Sequence, residues 1–261
     1  MKTADSLPPL NEDSLYDAQS LAFDAWEEPV EKKRIALAKK ALKTSPYCAD
    51  GYNILAEEAN DIAERVRLYA QGVEMGKMAL GKKFFKQNEG HFWGIIETRP
   101  FMRSMEGLAD CLWEQGERQK AIETYQEMLR LNPNDNQGVR YVLIGWLISR
   151  GAFEAAEELL ATYPDRSAFM LYGAALLYFM QGRKVKARNA LKKAIDANPH
   201  VPEFLLNPKK KYKPQTAEES FGYRQGYAGE ANEYRCLSYE VWRELPGALD
   251  WLKGSLDNTS K

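Results

Sequence analysis

The stretch that decides the fold runs from Met102 to Pro133 and reads MRSMEGLADCLWEQGERQKAIETYQEMLRLNP. Its apolar residues recur every three or four positions on both sides of Gly116, which is the spacing of two amphipathic helices. Ala109 and Ala121 are small enough for two helices to approach closely, and Gly116 permits a tight turn between them. The stretch therefore predicts an antiparallel helix pair.

The same small-residue pattern occurs three times along the chain, as a glycine followed by an alanine at the fifth position after it. The three glycines recur at nearly regular intervals, close to the roughly 34-residue period of helical repeat arrays. The pairs are Gly116 with Ala121, Gly151 with Ala156, and Gly182 with Ala187.

The segment from Met102 to Pro133 closely resembles the tetratricopeptide repeat (TPR) family, and Ala168 to Pro199 carries a second good copy. The copy between them, Asn136 to Pro164, is shorter, because its glycine and its final proline lie closer together than those of the other two copies. The missing residues belong to its second helix, so we expect this copy to pack imperfectly. Incomplete copies upstream bring the expected total to about five helix pairs.

These repeats predict an all-α fold: a TPR-like solenoid of antiparallel helix pairs with a right-handed superhelix, an aromatic insertion and C-terminal capping helices. The predicted division is a flexible N-terminus over 1–13, helical repeats over 14–206, a Lys/Pro/Gly-rich loop over 207–229, capping helices over 230–256 and a tail over 257–261.

The insertion is placed at about residues 82–101, because the interval from Pro46 to Pro133 is longer than two repeats of roughly 34 residues can fill. It carries Trp93 and Arg99, with Arg103 just beyond. Tryptophan and arginine are frequent anchors at binding sites. The cluster either contacts a partner or fastens the insertion to the repeats, and the sequence leaves both open.

Longer sequence words extend the resemblance. HFWGIIETRPFMR (His91 to Arg103), LNPNDNQGVR (Leu131 to Arg140) and NPHVPEFLL (Asn198 to Leu206) look like those of a family of bacterial TPR proteins. The C-terminal third, with Asn198 to Pro202 followed by Glu230, is similar to the suppressor of tumorigenicity seven family. The similarity is expected from about Met102 to the C-terminus, and it implies a fold and no catalytic residues. Eukaryotic members are membrane-associated, a location that we do not carry over, because this chain lacks a long apolar segment.

Composition bears on compartment and partners. The chain has 36 Lys and Arg against 37 Asp and Glu, so no overall field draws it to nucleic acid or to a membrane. Cys48, Cys111 and Cys236 are odd in number and widely spaced, which indicates a reducing compartment. We therefore expect a cytoplasmic protein that binds neither nucleic acid nor membrane.

Three features could carry chemistry. Gly76 to Lys83 matches a phosphate-binding loop except at its last position. An alternative hypothesis is therefore a nucleotide-binding protein. The lysines between Lys209 and Lys213, together with Tyr212, could contact nucleic acid, which is a second alternative hypothesis. His91 and His200 have no second ligand at metal spacing. We expect no enzyme activity, metal or cofactor.

The leading hypothesis is an adaptor or scaffold that binds a peptide or partner protein in a concave groove. In TPR proteins the second, fifth, ninth and twelfth positions of each repeat line that groove. In this chain, these positions are polar and acidic towards the N-terminal end and apolar towards the C-terminal end. The last helices are expected to cover the apolar part. The candidate site residues are Arg103, Glu106, Asp110, Trp113, Gln137 and Arg140, together with Trp93 and Arg99 of the insertion.

Overall fold

The computed structural model describes residues 7–214 and 224–257. Within these ranges the secondary structure consists of thirteen α-helices and two 3-10 turns, with no strand, so the predicted all-α class is confirmed. No helix in the same ranges is long and apolar enough to cross a membrane. Residues 1–6 of the predicted N-terminus, 215–223 of the predicted loop and 258–261 of the predicted tail lie outside the described residues.

The chain divides into two compact units, residues 1–139 and 140–261. In unit 1, each of three consecutive helix pairs packs together, α1 with α2, α3 with α4 and α5 with α6, and α3 also contacts both α1 and α5. The helices are α1 (Glu12–Glu27), α2 (Glu31–Thr44), α3 (Ala49–Glu57), α4 (Ile62–Asn88), α5 (Arg99–Gln115) and α6 (Arg118–Leu131).

Unit 2 continues with two further pairs, α7 with α8 and α9 with α10. The three helices that follow pack against one another and against α7 and α9. The helices are α7 (Arg140–Ser149), α8 (Phe153–Thr162), α9 (Ala168–Met180), α10 (Lys184–Ala197), α11 (Val201–Leu206), α12 (Ala228–Glu244) and α13 (Ala248–Asp257).

The repeated glycines and alanines occupy the positions that their spacing predicts. Gly116, Gly151 and Gly182 lie in the turns that follow α5, α7 and α9, with φ values of 93°, 69° and 71°. In this left-handed region an L side chain is strained, so glycine is favoured. The paired alanines Ala109 and Ala121 are both fully buried where α5 meets α6, because a larger side chain would separate the helices.

The predicted insertion over 82–101 consists of the end of α4, two connecting turns and the start of α5. α4 continues to Asn88, with one break at Gly81 (φ 75°), and α5 begins at Arg99, so half of the predicted range 82–101 is α-helical. Two 3-10 turns, Phe92–Gly94 and Ile96–Thr98, connect the helices. The fully buried Phe92 ring lies 4.9 Å from the Phe85 ring and 6.1 Å from that of Phe101. Phe92 of the first turn thus packs between the end of α4 and the start of α5.

α8 is a short helix, as the distance from its glycine to its proline predicted. It has 10 residues, whereas α6 and α10 each have 14. At about 1.5 Å per residue, α8 is roughly 6 Å shorter, or about one turn. α8, which precedes α9, therefore covers less of α9 than the longer helix α4 covers of α5.

The apolar side of α9 is covered from within unit 2. The Phe169 ring lies 5.4 Å from the Tyr234 ring of α12, and the Phe179 ring stacks on the Trp251 ring of α13 at 4.5 Å. Trp242 is fully buried, and its indole N–H donates to the Tyr234 hydroxyl at 2.7 Å. Aromatic side chains thus bury the part of the predicted groove that sequence alone marked as apolar.

Candidate functional site

A buried carboxylate joins three helices of unit 1. Asp50, at the start of α3, has no solvent exposure. Its two oxygens accept from Arg103 of α5, Nε at 3.0 Å and a terminal nitrogen at 2.5 Å. Gln19 Nε2 of α1 donates at 2.6 Å, and Asn53 Nδ2 donates at 2.9 Å. Because a buried charge is costly unless it is paired and hydrogen-bonded, this network fixes α1, α3 and α5 to one another.

The network extends along α5 to the insertion. Ser104 Oγ donates to Asn53 Oδ1 at 2.6 Å, and Asn53 Nδ2 reaches the Pro100 carbonyl at 3.1 Å. Ser104 and Asn53 are both buried. The first turn of α5 is thereby held against α3, which positions the rest of α5 relative to the two earlier helices.

Arg103 pairs with a carboxylate of its own unit, and its role as a partner contact stays a prediction. Its guanidinium pairs with Asp50 and lies 4.8 Å from the centre of the Trp26 ring of α1, with 30% of the side chain exposed. Sequence spacing alone does not indicate this pair, because Asp50 lies 53 residues before Arg103. Its principal contacts are structural.

Carboxylates follow along the same side of α5. Glu106 and Asp110 are one turn apart; Glu106 accepts from Gln137 Nε2, and Asp110 accepts from the Tyr125 hydroxyl at 2.5 Å. Burial, with smaller contributions from Asp110 and Asp135, raises the pKa of Glu106 to about 7, although the Gln137 hydrogen bond opposes the shift. Glu106 therefore takes up a proton near neutral pH.

These side chains define a surface that we call the α1/α3/α5 face. Phe23 is 50% exposed, and its ring lies 6.1 Å from that of Trp26. The Trp26 side chain also hydrogen-bonds Glu57. Since Asp50 already neutralises Arg103, the remaining charge on this face comes from Glu57, Asp110 and the ionised fraction of Glu106. Burial raises the pKa of all three carboxyls. The face comprises Phe23 and Trp26 of α1, Glu57 of α3, and Glu106 and Asp110 of α5.

Two other predicted site residues lie in the insertion. Arg99 Nε donates to the Trp93 carbonyl at 3.2 Å, and its guanidinium lies 5.3 Å from the centre of the Trp93 ring. Next to them the buried Thr98 hydroxyl donates to the Ile95 carbonyl at 2.7 Å. Trp93 and Arg99 contact each other within the insertion, which favours the interpretation that they stabilise it.

The remaining predicted residues are divided between the units. Trp113, near the end of α5, lies under the Arg118 guanidinium at 4.9 Å, and Gln137 lies beside Glu106. Arg140 begins α7 in unit 2, where it donates to the Tyr141 hydroxyl at 2.6 Å and pairs with Asp165 at 3.3 Å. Unit 1 thus brings together Arg103, Glu106, Asp110 and Gln137, whereas these contacts of Arg140 lie in unit 2.

The nucleotide and nucleic-acid alternatives receive no geometric support. Gly76 to Lys83 lies within α4, and Gly76 faces Phe101, whose Cβ would be 2.9 Å from an added Cβ. The motif therefore does not form a loop after a strand. Lys210 pairs with Glu203 at 2.5 Å, and the Tyr212 ring lies 6.4 Å from Phe204. No group of three potential metal ligands occurs in the described ranges.

A second buried carboxylate, that of Glu230, lies in unit 2. The sequence indicated this residue only through the resemblance to the suppressor of tumorigenicity seven family. Glu230 of α12 is 1% exposed. It accepts from Asn198 Nδ2 and the Ala168 N–H, both at 2.8 Å, and from the Gly226 N–H at 2.7 Å. The segment Asn198 to Pro202 therefore contacts α12, which carries Glu230 and Tyr234. These hydrogen bonds hold α12 against the start of α9.

Consecutive helix pairs, with buried carboxylates hydrogen-bonded between helices, define an all-helical protein whose interior polar groups hold its helices together. The chain belongs to the ST7 protein family, whose profile matches residues 5–261. The match corrects the expectation that the similarity begins only at about Met102.

Curated relatives support the same family. The chain is 26% identical over 278 residues to Suppressor of tumorigenicity 7 protein-like of Gallus gallus, covering 95% of this chain and 48% of that protein. It is 25% identical over 273 residues to Protein ST7 homolog of Drosophila melanogaster, covering 95% of this chain and 50% of that protein. The chain thus spans about half the length of these relatives.

Proposed function

We propose that the chain is a non-catalytic, TPR-like interaction module that binds a peptide or partner protein on the α1/α3/α5 face. The observation that carries the proposal is the Asp50 network, which fixes three helices while Glu57 and Asp110 stay exposed and Glu106 half-exposed. A preorganised surface of this kind binds with little loss of entropy. The proposal includes a TPR-like solenoid with a right-handed twist, and the packing of consecutive helices in pairs within each unit supports it.

The charge of the face indicates the chemistry of the partner. Carboxylates line it, and its arginine is already paired with Asp50. A segment rich in Lys or Arg complements this charge, and the aliphatic stems of those residues pack on aromatic rings such as Phe23 and Trp26. We therefore propose a basic peptide segment as the partner.

The cytoplasm remains the proposed compartment. Cys48 and Cys111 are buried and unpaired, and the exposed Cys236 is also unpaired. Burial raises the pKa of the Cys48 thiol to about 12, so this thiol stays protonated and unreactive. Unpaired cysteines are typical of a reducing compartment.

A peptide selection tests the proposal. A random phage-displayed library is selected against the purified chain, and the affinity of the enriched peptides is measured by fluorescence anisotropy at low and high salt. We expect Lys- and Arg-rich sequences whose binding weakens with salt and falls at least about tenfold in Glu106→Gln/Asp110→Asn.

The matched control removes the same charge from exposed residues of other helices in unit 1. Glu74→Gln/Glu123→Gln should bind the enriched peptides as the native chain does, since Glu74 lies on α4 and Glu123 on α6. Equal loss in both double variants, or enriched peptides without basic residues, would contradict the assignment of this face.

A further inference from the structure

A cleft opens on the surface of unit 2, between α9 and α10. Its volume of about 360 Å³ is near the lower end of the roughly 300–1,000 Å³ of ligand pockets. Leu171, Ala174 and Tyr178 of α9 and Ala190 of α10 supply apolar surface, while Lys186 and Lys193 extend from α10. The cleft runs along two packed helices, as a helix-binding groove does.

In unit 1 a helix covers the equivalent position. Leu108 of α5, which occupies the same repeat position as Ala174, packs against a buried cluster that includes Leu68 and Tyr69 of α4. α4 spans 27 residues and α8 only 10. In unit 2, α8 is fixed near the α9–α10 turn, where Glu157 accepts from Gln181 at 3.0 Å and pairs with Arg183 at 2.7 Å. It ends at Thr162, and the cleft stays open.

The charge of α10 selects the occupant. Its exposed side chains include Lys184, Lys186, Arg188, Lys192 and Lys193. None of the residues that line the cleft is acidic. The Lys186 Nζ lies 5.6 Å from the centre of the Tyr178 ring, so one cation lies directly beside the apolar surface, and it also interacts electrostatically with Glu157 of α8. Carboxylates next to aliphatic side chains would complement this arrangement.

We propose that the α9–α10 cleft binds a short amphipathic helix of a partner protein, with apolar side chains on Leu171, Ala174 and Tyr178 and acidic side chains beside Lys186 and Lys193. A helix is the occupant because a helix fills the equivalent position of unit 1. The acidic character follows from the lysines. The site lies wholly within unit 2 and adds a second docking surface to the proposed function.

A designed peptide tests the proposal directly. The probe is a fluorescent helical peptide with leucines on one face and glutamates flanking them, and anisotropy gives its affinity for the full chain. We expect saturable binding, with affinity reduced at least about tenfold by Lys186→Glu/Lys193→Glu and by less than about threefold by Lys184→Glu/Lys192→Glu. The second variant makes the same charge change on the same helix outside the cleft.

A third variant tests the apolar surface without changing charge. Ala174→Leu introduces the residue found at the equivalent position 108, and it should fill the cleft and weaken peptide binding about as much as the cleft lysine variant. A version of the peptide with lysines in place of glutamates should bind at least about tenfold more weakly. Circular dichroism confirms that each variant remains folded.

Several outcomes would overturn the proposal. They are no saturable binding of the acidic peptide, equal loss in the two lysine variants, and unchanged binding in Ala174→Leu. Preferential binding of single-stranded RNA or of anionic lipid vesicles through the same lysines would also reject a helical protein partner. Glu106→Gln/Asp110→Asn should leave the acidic peptide bound, so this test and that of the α1/α3/α5 face fail separately.

Discussion

Asp50 has no access to solvent, so the stability of its charge depends on neighbours that lie far away in the sequence. Gln19 is 31 residues before it, and Arg103 is 53 residues after it. Removing the cation alone would leave a buried carboxylate without compensation. Replacing both charged residues by neutral ones removes that penalty.

We therefore expect Arg103→Met to lower the free energy of unfolding by roughly 3 kcal/mol, at the lower end of the range for buried pairs because Arg103 is 30% exposed. The double variant Asp50→Asn/Arg103→Met should recover at least about 1 kcal/mol of this loss. Urea denaturation of the native chain, both single variants and the double variant measures the coupling. Additive losses would show that the pair contributes no interaction of its own.

Glu106 predicts a dependence of stability on pH. Its pKa is about 7 in the fold, against an ordinary value of 4.5. Between these values the folded chain binds more protons than the unfolded chain, so the carboxyl's contribution to stability falls as pH rises, and the penalty is complete above about pH 7. Glu106→Gln keeps the shape of the side chain without this titration.

The measurement is the free energy of unfolding of the native chain relative to Glu106→Gln, from about pH 5 to about pH 8. We expect the native chain to lose stability against the variant as pH rises across this window. Glu123→Gln, at an exposed position of α6, serves as the control and should show no such trend. A difference that stays constant with pH would refute the raised pKa.

At the scale of elements, Glu230 connects the start of α9 to α12. Its oxygens accept from the Ala168 N–H in the first turn of α9 and from Asn198 Nδ2 just after α10, each at 2.8 Å. The first N–H groups of a helix have no partner within the helix. Glu230 supplies one from a residue 62 positions away.

We expect Glu230→Ala to destabilise the protein by about 2–3 kcal/mol, because it leaves the buried Ala168 N–H without its acceptor and removes one of the two acceptors of Asn198 Nδ2, the other being the Tyr227 carbonyl. Glu230→Gln keeps one acceptor oxygen and should cost less. Hydrogen exchange at the Ala168 amide, combined with chemical denaturation, separates this local effect from global unfolding. Exchange at Ala168 that is the same in Glu230→Ala as in the native chain would argue against the contact.

The elements that could be predicted from sequence are those with local signals. Gly116 and Gly182 indicate turns because the backbone there has a positive φ that favours glycine. The short spacing from Gly151 to the proline that follows indicates that α8 is short. The Asp50 partner of Arg103 and the packing of Phe92 inside the insertion carry no local signal, because both depend on residues brought together by packing. The sequence therefore placed Arg103, Glu106 and Asp110 on one helix, but it did not indicate that Arg103 pairs with Asp50.

At the scale of the whole molecule, a net charge of −1 hides two surfaces of opposite sign in different units. The α1/α3/α5 face of unit 1 is acidic, and α10 of unit 2 is basic. Each unit also has its own buried side chains: Ala18, Ala22 and Ile54 belong to the core of unit 1, and Phe169 and Trp242 are buried in unit 2. We therefore expect each unit to fold and bind separately.

Expression of residues 1–139 and 140–261 as separate chains tests this expectation. Each should show helical circular dichroism and a cooperative unfolding transition, because each has an internal core and its buried carboxylate is satisfied within the same unit. The 1–139 chain should retain the basic peptides and the 140–261 chain the acidic helical peptide. A fragment that unfolds without cooperativity would show that its core is incomplete, and a folded fragment without its peptide would show that its surface alone is not the binding site.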